Sequence, residues 1–541
     1  MLHTLILAAA LSLNGSWEFC FEEDKPLEAV AAADFVATDA MTVPGCFDVM
    51  PKWYLKHGTG LYRRSFTLPE PMKDAMLVVD GMGIRSKFAI DGRDLGVHVF
   101  PYARLEIPVG PLAAGEHTLF AAVDNIMEWP RVRLARPYYD FYFYGGFYHG
   151  VKLVEKAPKV FVRTLDYRTG EVEVEVEGGE KSVRKIPNFK LWSPEAPNLT
   201  TIDVAGQKIR FGIRQIEAKN RRIYLNGKQI FLKGFNRHES EMSGGSATSE
   251  ALMLQDLQRL KALGGNFIRG AHYQQSERFL DLCDEMGVLV WEESLGWGNG
   301  HGYTCGQFPP NEFKDAEFCD LQVEQTRAMV RASFNHPSVV ISGFLNECDS
   351  SQPECKALVD RLIAAIRAER TGRLVTFACN VCEKDDVCNE NTDIVAFNSY
   401  PGGIPLEPGT PAQLAEKVRR DFNGKVAGFR QRYPDKPIMI SESGVGAVYG
   451  CHDPNASVST EECQEEYLRD IMETLWANPD VVGFSIWQMN DGRTRERFCD
   501  KTVSAFFGGS VAGVFDQMRR PKTSARTVKE FFAGKTPANL K

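Results

Sequence analysis

Two glutamates stand where a sequence of this kind could do chemistry. Glu347 follows Asn346 at the end of an apolar run that starts near Val339, and Glu442 lies in a run that starts near Pro437. Two carboxyls across one site are the arrangement that cleaves glycosidic bonds. One protonates the departing oxygen, and the other attacks the anomeric carbon or activates water. Taken singly, each glutamate reads as a solvated or salt-bridged side chain. The neighbouring run ends change that reading. They are Asn236-Arg-His238, His272-Tyr273, Glu292-Glu293, Asn380, Asn398-Ser-Tyr400 and Trp487-Gln488. Polar residues are ordinary at strand ends, but this convergence of carboxylates, histidines, asparagines, a tyrosine and a tryptophan exceeds what turns require.

Such residues need a scaffold that gathers strand ends. From about residue 218 onward, eight apolar runs begin near Phe231, Phe267, Val288, Val339, Leu374, Ile394, Pro437 and Val481. Helical segments alternate with them, including Ser249–Leu263, Glu317–Phe334, Glu354–Arg370 and Glu461–Trp476. Leu252, Leu257, Leu260 and Leu263 keep the stripe of a helix with one buried face. Eight strand–helix repeats predict a (β/α)8 barrel, whose active site lies at the C-terminal ends of its strands. Strands four and seven then oppose Glu347 and Glu442 across the mouth. An open doubly wound sheet is the rival, but no Gly-rich phosphate loop follows any run.

The rest of the chain reads as β. Up to about residue 157, short alternating runs such as Gly60–Leu68 and Ala75–Asp80 are punctuated by Asp91-Gly92 and Gly115-Glu116 turns, which predicts a sandwich. A second, shorter β stretch covers residues 158–217, with Glu171-Val-Glu-Val-Glu-Val-Glu177 as its clearest alternation. A chain of 541 residues exceeds the reach of one core, which stops growing at roughly 250–300 residues.

Composition excludes more than it selects. With 43% hydrophobic and 25% charged residues the chain is an ordinary globular protein, and a net charge of −8 argues against nucleic acid or an anionic membrane as partner. The apolar stretch Leu5–Leu13 is too short to span a bilayer and lacks a basic flank. Cleavage after Ala10 would cut into what reads as a first strand, so a cytoplasmic protein is expected. The 13 cysteines form no disulfide framework, and Cys379-x-x-Cys382 has no second pair at zinc spacing. No feature fixes the oligomeric state, and a homo-oligomer is compatible with the sequence.

Several motifs together resemble glycoside hydrolase family 2. They are Leu191-Trp-Ser-Pro-Glu195, Phe211-Gly-Ile-Arg-Gln-Ile-Glu217, Leu225–Glu239 with its Gly-Phe-Asn-Arg-His core, Arg269-Gly-Ala-His-Tyr273, Asn346-Glu347 and Ser441-Glu-Ser-Gly444. The resemblance runs nearly end to end. It implies a jelly-roll sugar-binding domain over residues 1–157, an immunoglobulin-like sandwich over 158–217 and a catalytic TIM barrel over 218–541. It also implies roles: Glu347 as general acid/base, Glu442 as nucleophile, Asn346 on the sugar 2-hydroxyl and Tyr400 orienting the nucleophile. His238 and His272 resemble sugar-contacting histidines, and Trp487 resembles the platform under the ring. Asp140, within Tyr139–Tyr148, resembles the residue that a loop carries from the first domain to a sugar hydroxyl such as O4. The expected activity is retaining exo-hydrolysis of a β-glycoside without cofactor. A non-catalytic carbohydrate-binding protein is the alternative of another class, and both intact carboxylates weigh against it.

The sugar itself is less legible. Family glucuronidases grip the C6 carboxylate with an Asn-x-Lys motif, a charge-assisted contact that a neutral sugar does not need. The matching stretch here is Gly509-Ser-Val-Ala-Gly-Val-Phe515, with Ser510 and Ala512 in the Asn and Lys positions. Glu293 is followed by Ser294-Leu-Gly-Trp297, so the Mg²⁺ stretch of the large family galactosidases does not carry over, and metal independence is expected. By elimination the first expectation is a β-galactosidase. The alternative is a β-uronidase, for galacturonides or an atypical one for glucuronides. It would use Arg493 or Arg495 in Asp491–Arg497, a loop whose simpler reading is solvated with internal Asp/Glu–Arg pairing.

Overall fold

The structure is a computed structural model that describes residues 10–23, 25–302, 309, 311–403, 406, 410–494 and 509–541. The first part of the chain folds as two antiparallel sheets packed face to face. One has strands Ala10–Ser12, Val151–Glu155, Met72–Val79 and Leu105–Leu112 in that order. The other has Asp39–Val43, Gly15–Glu22, Thr59–Leu68, Gly115–Asp124, Arg85–Ile90 and Arg93–His98. Successive strand residues face opposite sides, so Trp17 and Phe19 on one sheet meet Leu77 and Leu153 on the other in a single core.

A smaller pair of sheets follows. Val160–Asp166, Glu171–Val176 and Lys181–Lys185 form one, and Thr200–Val204 and Gln207–Phe211 form the other. Val162, Val172, Val174, Val204 and Phe211 make up most of the core between them. So slight a core leans on its neighbour. Trp192 Nε1 donates to Asp284 O at 2.9 Å, and Arg214 donates to Pro337 O and Val339 O at 3.1 and 2.7 Å, all at the base of the barrel.

The barrel strands are Leu232–Arg237, Phe267–Gly270, Leu289–Glu293, Val339–Gly343, Leu374–Thr376 continuing as Ala378–Cys379, Val395–Asn398, Ile438–Ser443 and Val481–Ile486. All pair in parallel, in the order five, four, three, two, one, eight, seven, six, five. The ring closes through the chain itself, because strand five is split at Phe377. Each strand starts within one residue of its expected position. The three-stranded sheet Ile216–Lys219, Arg222–Leu225 and Lys228–Ile230 covers the floor, and its Ile216, Ile223 and Leu225 join Leu232, Phe267 and Leu289 of the barrel interior.

The repeat is not perfect, which corrects the expectation of eight strand–helix units. No helix joins strand five to strand six. The connection, residues 380–394, is polar and lacks a helical stripe. Buried Asp386 organises it, accepting from Cys388 N and Asn389 N at 3.3 Å and from the Tyr433 hydroxyl at 2.6 Å. Among the described residues no helix is long and apolar enough to cross a membrane.

Candidate active site

The barrel mouth is organised around Arg269, at the end of strand two. Its guanidinium is fully buried and lies over the Trp291 ring, 4.8 Å from the centroid. It donates to Glu442 Oε1 at 2.6 Å and to Glu293 Oε1 and Oε2 at 2.9 Å. It also donates to Asn236 Oδ1 at 3.0 Å and Asn346 Oδ1 at 2.9 Å. A buried cation is tolerable only when opposite charges and hydrogen bonds replace its water. Trp291 can sit beneath it because residue 343 is glycine: a Cβ there would meet Trp291 Nε1 at 2.0 Å.

Glu442, on strand seven, is held from two sides, by Arg269 on Oε1 and by the Tyr400 hydroxyl, which donates to Oε2 at 2.8 Å. Burial, then Glu442 and Glu347, push the Tyr400 pKa well up, so the hydroxyl keeps the proton it donates. Glu347 lies beyond the end of strand four, with φ at 50°. Asn398 Nδ2 donates to its Oε1 at 2.9 Å. Burial raises its pKa, the negative Glu442 adds to the rise, and Asn398 and Arg269 oppose it, leaving the carboxyl at about 7. One carboxyl therefore keeps a proton near neutrality while the other is gripped by a cation and a hydroxyl. Divided environments of this kind set up acid and nucleophile.

Two further buried polar atoms near these carboxyls have no hydrogen-bond partner among the described residues. They are Asn346 Nδ2, whose Oδ1 is taken by Arg269 and Asn398, and His272 Nε2. Burial, then Arg269, lowers the His272 pKa to about 3. Its Nδ1 lies 3.1 Å from Glu293 Oε1 and 3.3 Å from Arg269 Nη2, and its Nε2 lies 3.9 Å from Glu442 Oε1. His238 is likewise kept neutral by burial and by His272, with Nδ1 3.2 Å from the Tyr273 hydroxyl. Trp487 stacks on His272 at 5.4 Å and meets His238 edge-on at 5.3 Å, so the three rings form one wall.

A loop from the first sandwich reaches this wall. Phe141 lies 5.2 Å from the His238 ring and 5.9 Å from that of His272. The Tyr139 hydroxyl accepts from Asn299 Nδ2 at 3.2 Å, and the Tyr144 hydroxyl bonds Ser240 Oγ at 2.9 Å. Half-buried Asp140 is thereby carried to the barrel mouth between two anchored neighbours.

Arg493 sits at the rim. Gly492 and Arg493 pair antiparallel with Ser510 and Gly509. Its guanidinium lies over the rings of Tyr54, Tyr142 and Tyr144 at 4.8, 5.2 and 5.6 Å and donates to the Tyr54 hydroxyl at 3.1 Å. Its Nη1 is buried with no partner among the described residues. The described part of this loop does not show the expected internal Asp/Glu–Arg pairing: buried Asp491 binds Lys522, outside the loop, at 2.9 Å, and Arg493 lies against the tyrosines. Arg495 lies outside the described residues.

Two strand-end residues do not join the site. Alternation turns Glu292 away from the barrel interior, toward Ser333 and Arg373, and Asn380 is exposed. Arg269, Glu293 and Asn398, which hold the rest together, received no role from the sequence. The signal was available, since an arginine inside an apolar run must find buried carboxylates. The one group of potential metal donors among the described residues, Asp281, Asp284 and His336, lies at the base of the barrel.

The family model for the TIM barrel domain of glycosyl hydrolases family 2 matches residues 216–535. A β-glucuronidase of Streptococcus agalactiae is 24% identical over 96% of this chain and 95% of its own length. A β-galacturonidase from Eisenbergiella tayi, solved with galacturonate, is 25% identical and superposes with a TM-score of 0.82 over 98% of both chains. Ruminococcus gnavus β-glucuronidase, 22% identical, shares the fold with a TM-score of 0.85, covering 98% of this chain and 97% of its own. The chain belongs to glycoside hydrolase family 2 and is a glycoside hydrolase.

Proposed function

We propose that the chain is a retaining exo-β-uronidase. In the first step Glu442 attacks the anomeric carbon while Glu347 protonates the departing oxygen. In the second, Glu347 takes a proton from water, which attacks the glycosyl–Glu442 ester. Asn346 Nδ2 donates to the 2-hydroxyl, His238 and His272 meet further hydroxyls, Trp487 underlies the ring, Tyr400 orients Glu442 and Asp140 binds O4. The same proposal divides the chain at about residues 157 and 217.

The observation that favours a uronide over the galactoside first expected is the place of Arg493. The ladder sets it opposite Gly509 and beside Ser510, the position of the motif asparagine. A cation there, with a buried N–H unspent, supplies what the missing Asn-x-Lys would have supplied to a C6 carboxylate. The uronidase names of the relatives point the same way. Glucuronides are the first substrates to test. Galacturonides follow because the glucuronidase motif is absent and the Eisenbergiella relative was solved with galacturonate.

The test is a panel of p-nitrophenyl β-glycosides, with galactoside, glucoside, glucuronide, galacturonide, mannoside, xyloside and fucoside, assayed with and without EDTA. Uronide turnover is expected. A charge-assisted contact contributes roughly 1.5–3 kcal/mol, so Arg493→Met should lower kcat/KM for the uronide by about 10- to 100-fold relative to the matching neutral glycoside. Turnover of the galactoside alone would return the assignment to a galactosidase.

A further inference from the structure

Beside Tyr400 lies a cavity of about 410 Å³ that plays no part in the roles above. One wall is the strand-six end, Ser399 to Gly403. The other is one face of helix Pro411–Arg432, with Lys417, Arg420, Asp421, Gly424 and Lys425. We propose that this cavity is the leaving-group subsite and that it takes an aglycone bearing an oxyanion. The proposal rests on Glu347 being the acid and Glu442 the nucleophile.

Position comes first. The cavity wall begins one residue after Asn398, which donates to Glu347, and it includes Tyr400, which donates to Glu442. Glu347 protonates the departing oxygen from its place beside Asn398, and this cavity opens next to that strand end.

Charge comes second. Among the described lining residues three cations face one acid, on a chain whose net charge is −8. Asp421 is shared between Arg420 at 3.2 Å and Lys417 at 3.8 Å, so it cannot neutralise both. Lys425 has no carboxylate within ion-pair reach among the described residues, and its Nζ lies 5.8 Å from the centre of the Phe397 ring. Its positive field reaches Glu347. A cation whose field reaches the acid makes that acid's proton easier to lose, so an anion bound over Lys425 would offset that effect. Such a local excess of one sign, against the overall charge, concentrates counter-ions where it lies.

Space comes third. At Gly424, in the middle of the basic face, an added Cβ would find nothing within 4 Å. That stretch of the cavity wall is therefore bare backbone, with open space for an anionic group beside Lys425.

The matching ligand is a β-glycoside whose aglycone carries a carboxylate or sulfate. Two sources share that chemistry, an acidic sugar in an oligosaccharide and an acidic phenol. The test compares kcat/KM at low ionic strength for a carboxyphenyl glycoside and its methyl ester, on whichever glycone the panel identifies. A parallel arm compares a disaccharide ending in a uronate with the same disaccharide ending in a neutral hexose. Each acid-to-neutral ratio is read in wild type, in the triple variant Lys417→Met, Arg420→Met, Lys425→Met, and in Gly424→Glu, which places a carboxylate in the cavity. Taking the ratio cancels any loss common to both substrates. Solvent-accessible ion pairs are individually weak and screened by salt. The expected ratio therefore falls by about fivefold or more from wild type to either variant, and falls similarly in wild type at high salt. The arm that shows the larger fall identifies the source. A ratio equal in wild type and triple variant, in both arms, overturns the subsite. The glycone preference is read separately from the panel, so failure of the uronide reading leaves a different signature.

Discussion

At neutral pH Glu347 keeps a proton because burial and the adjacent Glu442 penalise its ionisation, bringing its pKa to about 7. The alkaline limb of kcat/KM should therefore fall near pH 7, above the usual carboxylate range. A pH–rate profile with no decline up to pH 9 would remove Glu347 from the acid role. Glu347→Gln should lower turnover by at least about 1,000-fold for glycosides with poor leaving groups, which need protonation, and by much less in the first step for activated aryl leaving groups. The same shift has a consequence for stability. The folded-state pKa lies above the unfolded one, so the folded protein binds the proton more tightly. Stability is then lost as pH rises from the ordinary carboxylate value toward about 7. Glutamine cannot ionise. Glu347→Gln should raise the melting temperature at pH 8 more than at pH 5, by at most about 3 kcal/mol in stability, as calorimetry at the two pH values would show.

Among the elements, the strand pairs two–three and three–four matter most, because they hold Arg269 against Trp291. Gly343 is the narrow point, since a methyl group there would overlap the indole nitrogen. Overpacking a tight core costs about 1–3 kcal/mol. Gly343→Ala should therefore lower stability by that amount. It should also reduce kcat more than it raises KM, because the displaced indole moves Arg269 and with it Glu442. Denaturant unfolding alongside steady-state kinetics would test both, and a stable variant with normal kcat would refute the link. Gly424 sits oppositely, exposed in mid-helix with open space around it. There Gly424→Ala should stabilise by roughly 0.5–1 kcal/mol through helix propensity and unfolded-state entropy.

For the whole molecule, the first sandwich is part of the site. Tyr102, from that sandwich, stacks on Tyr273 of the barrel at 3.6 Å and 11°. Tyr273 in turn contacts His238, and its hydroxyl accepts from Glu239 N at 2.8 Å. Tyr102→Ala should cost about 3 kcal/mol as a buried aromatic truncation and raise KM for the glycone, since the loop carrying Asp140 and the wall carrying His238 would loosen together. A variant that loses stability while KM stays at the wild-type value would confine Tyr102 to packing.

The sequence alone determined the barrel strands, because buried parallel strands must be continuous apolar runs and each such run ended in polar residues. It also determined the family, and placed Glu347, Glu442, Asn346, His272 and Trp487 at strand ends where a barrel gathers them. The helix missing after strand five was legible too, in the polar and stripe-free residues 380–394, although the count of eight strand–helix units passes over it. The sequence could not tell Glu293 from Glu292, since which of two adjacent strand residues faces inward depends on register. Tertiary structure alone decided that Arg269 ties Glu293, Glu442 and Asn346 into one network, and that Arg493 is caged by tyrosines of another domain. Those partners lie 24, 173 and 77 residues from Arg269 along the chain. Contacts between residues so far apart in sequence leave no local pattern to read, and they arise only when closure of the barrel brings the strand ends together.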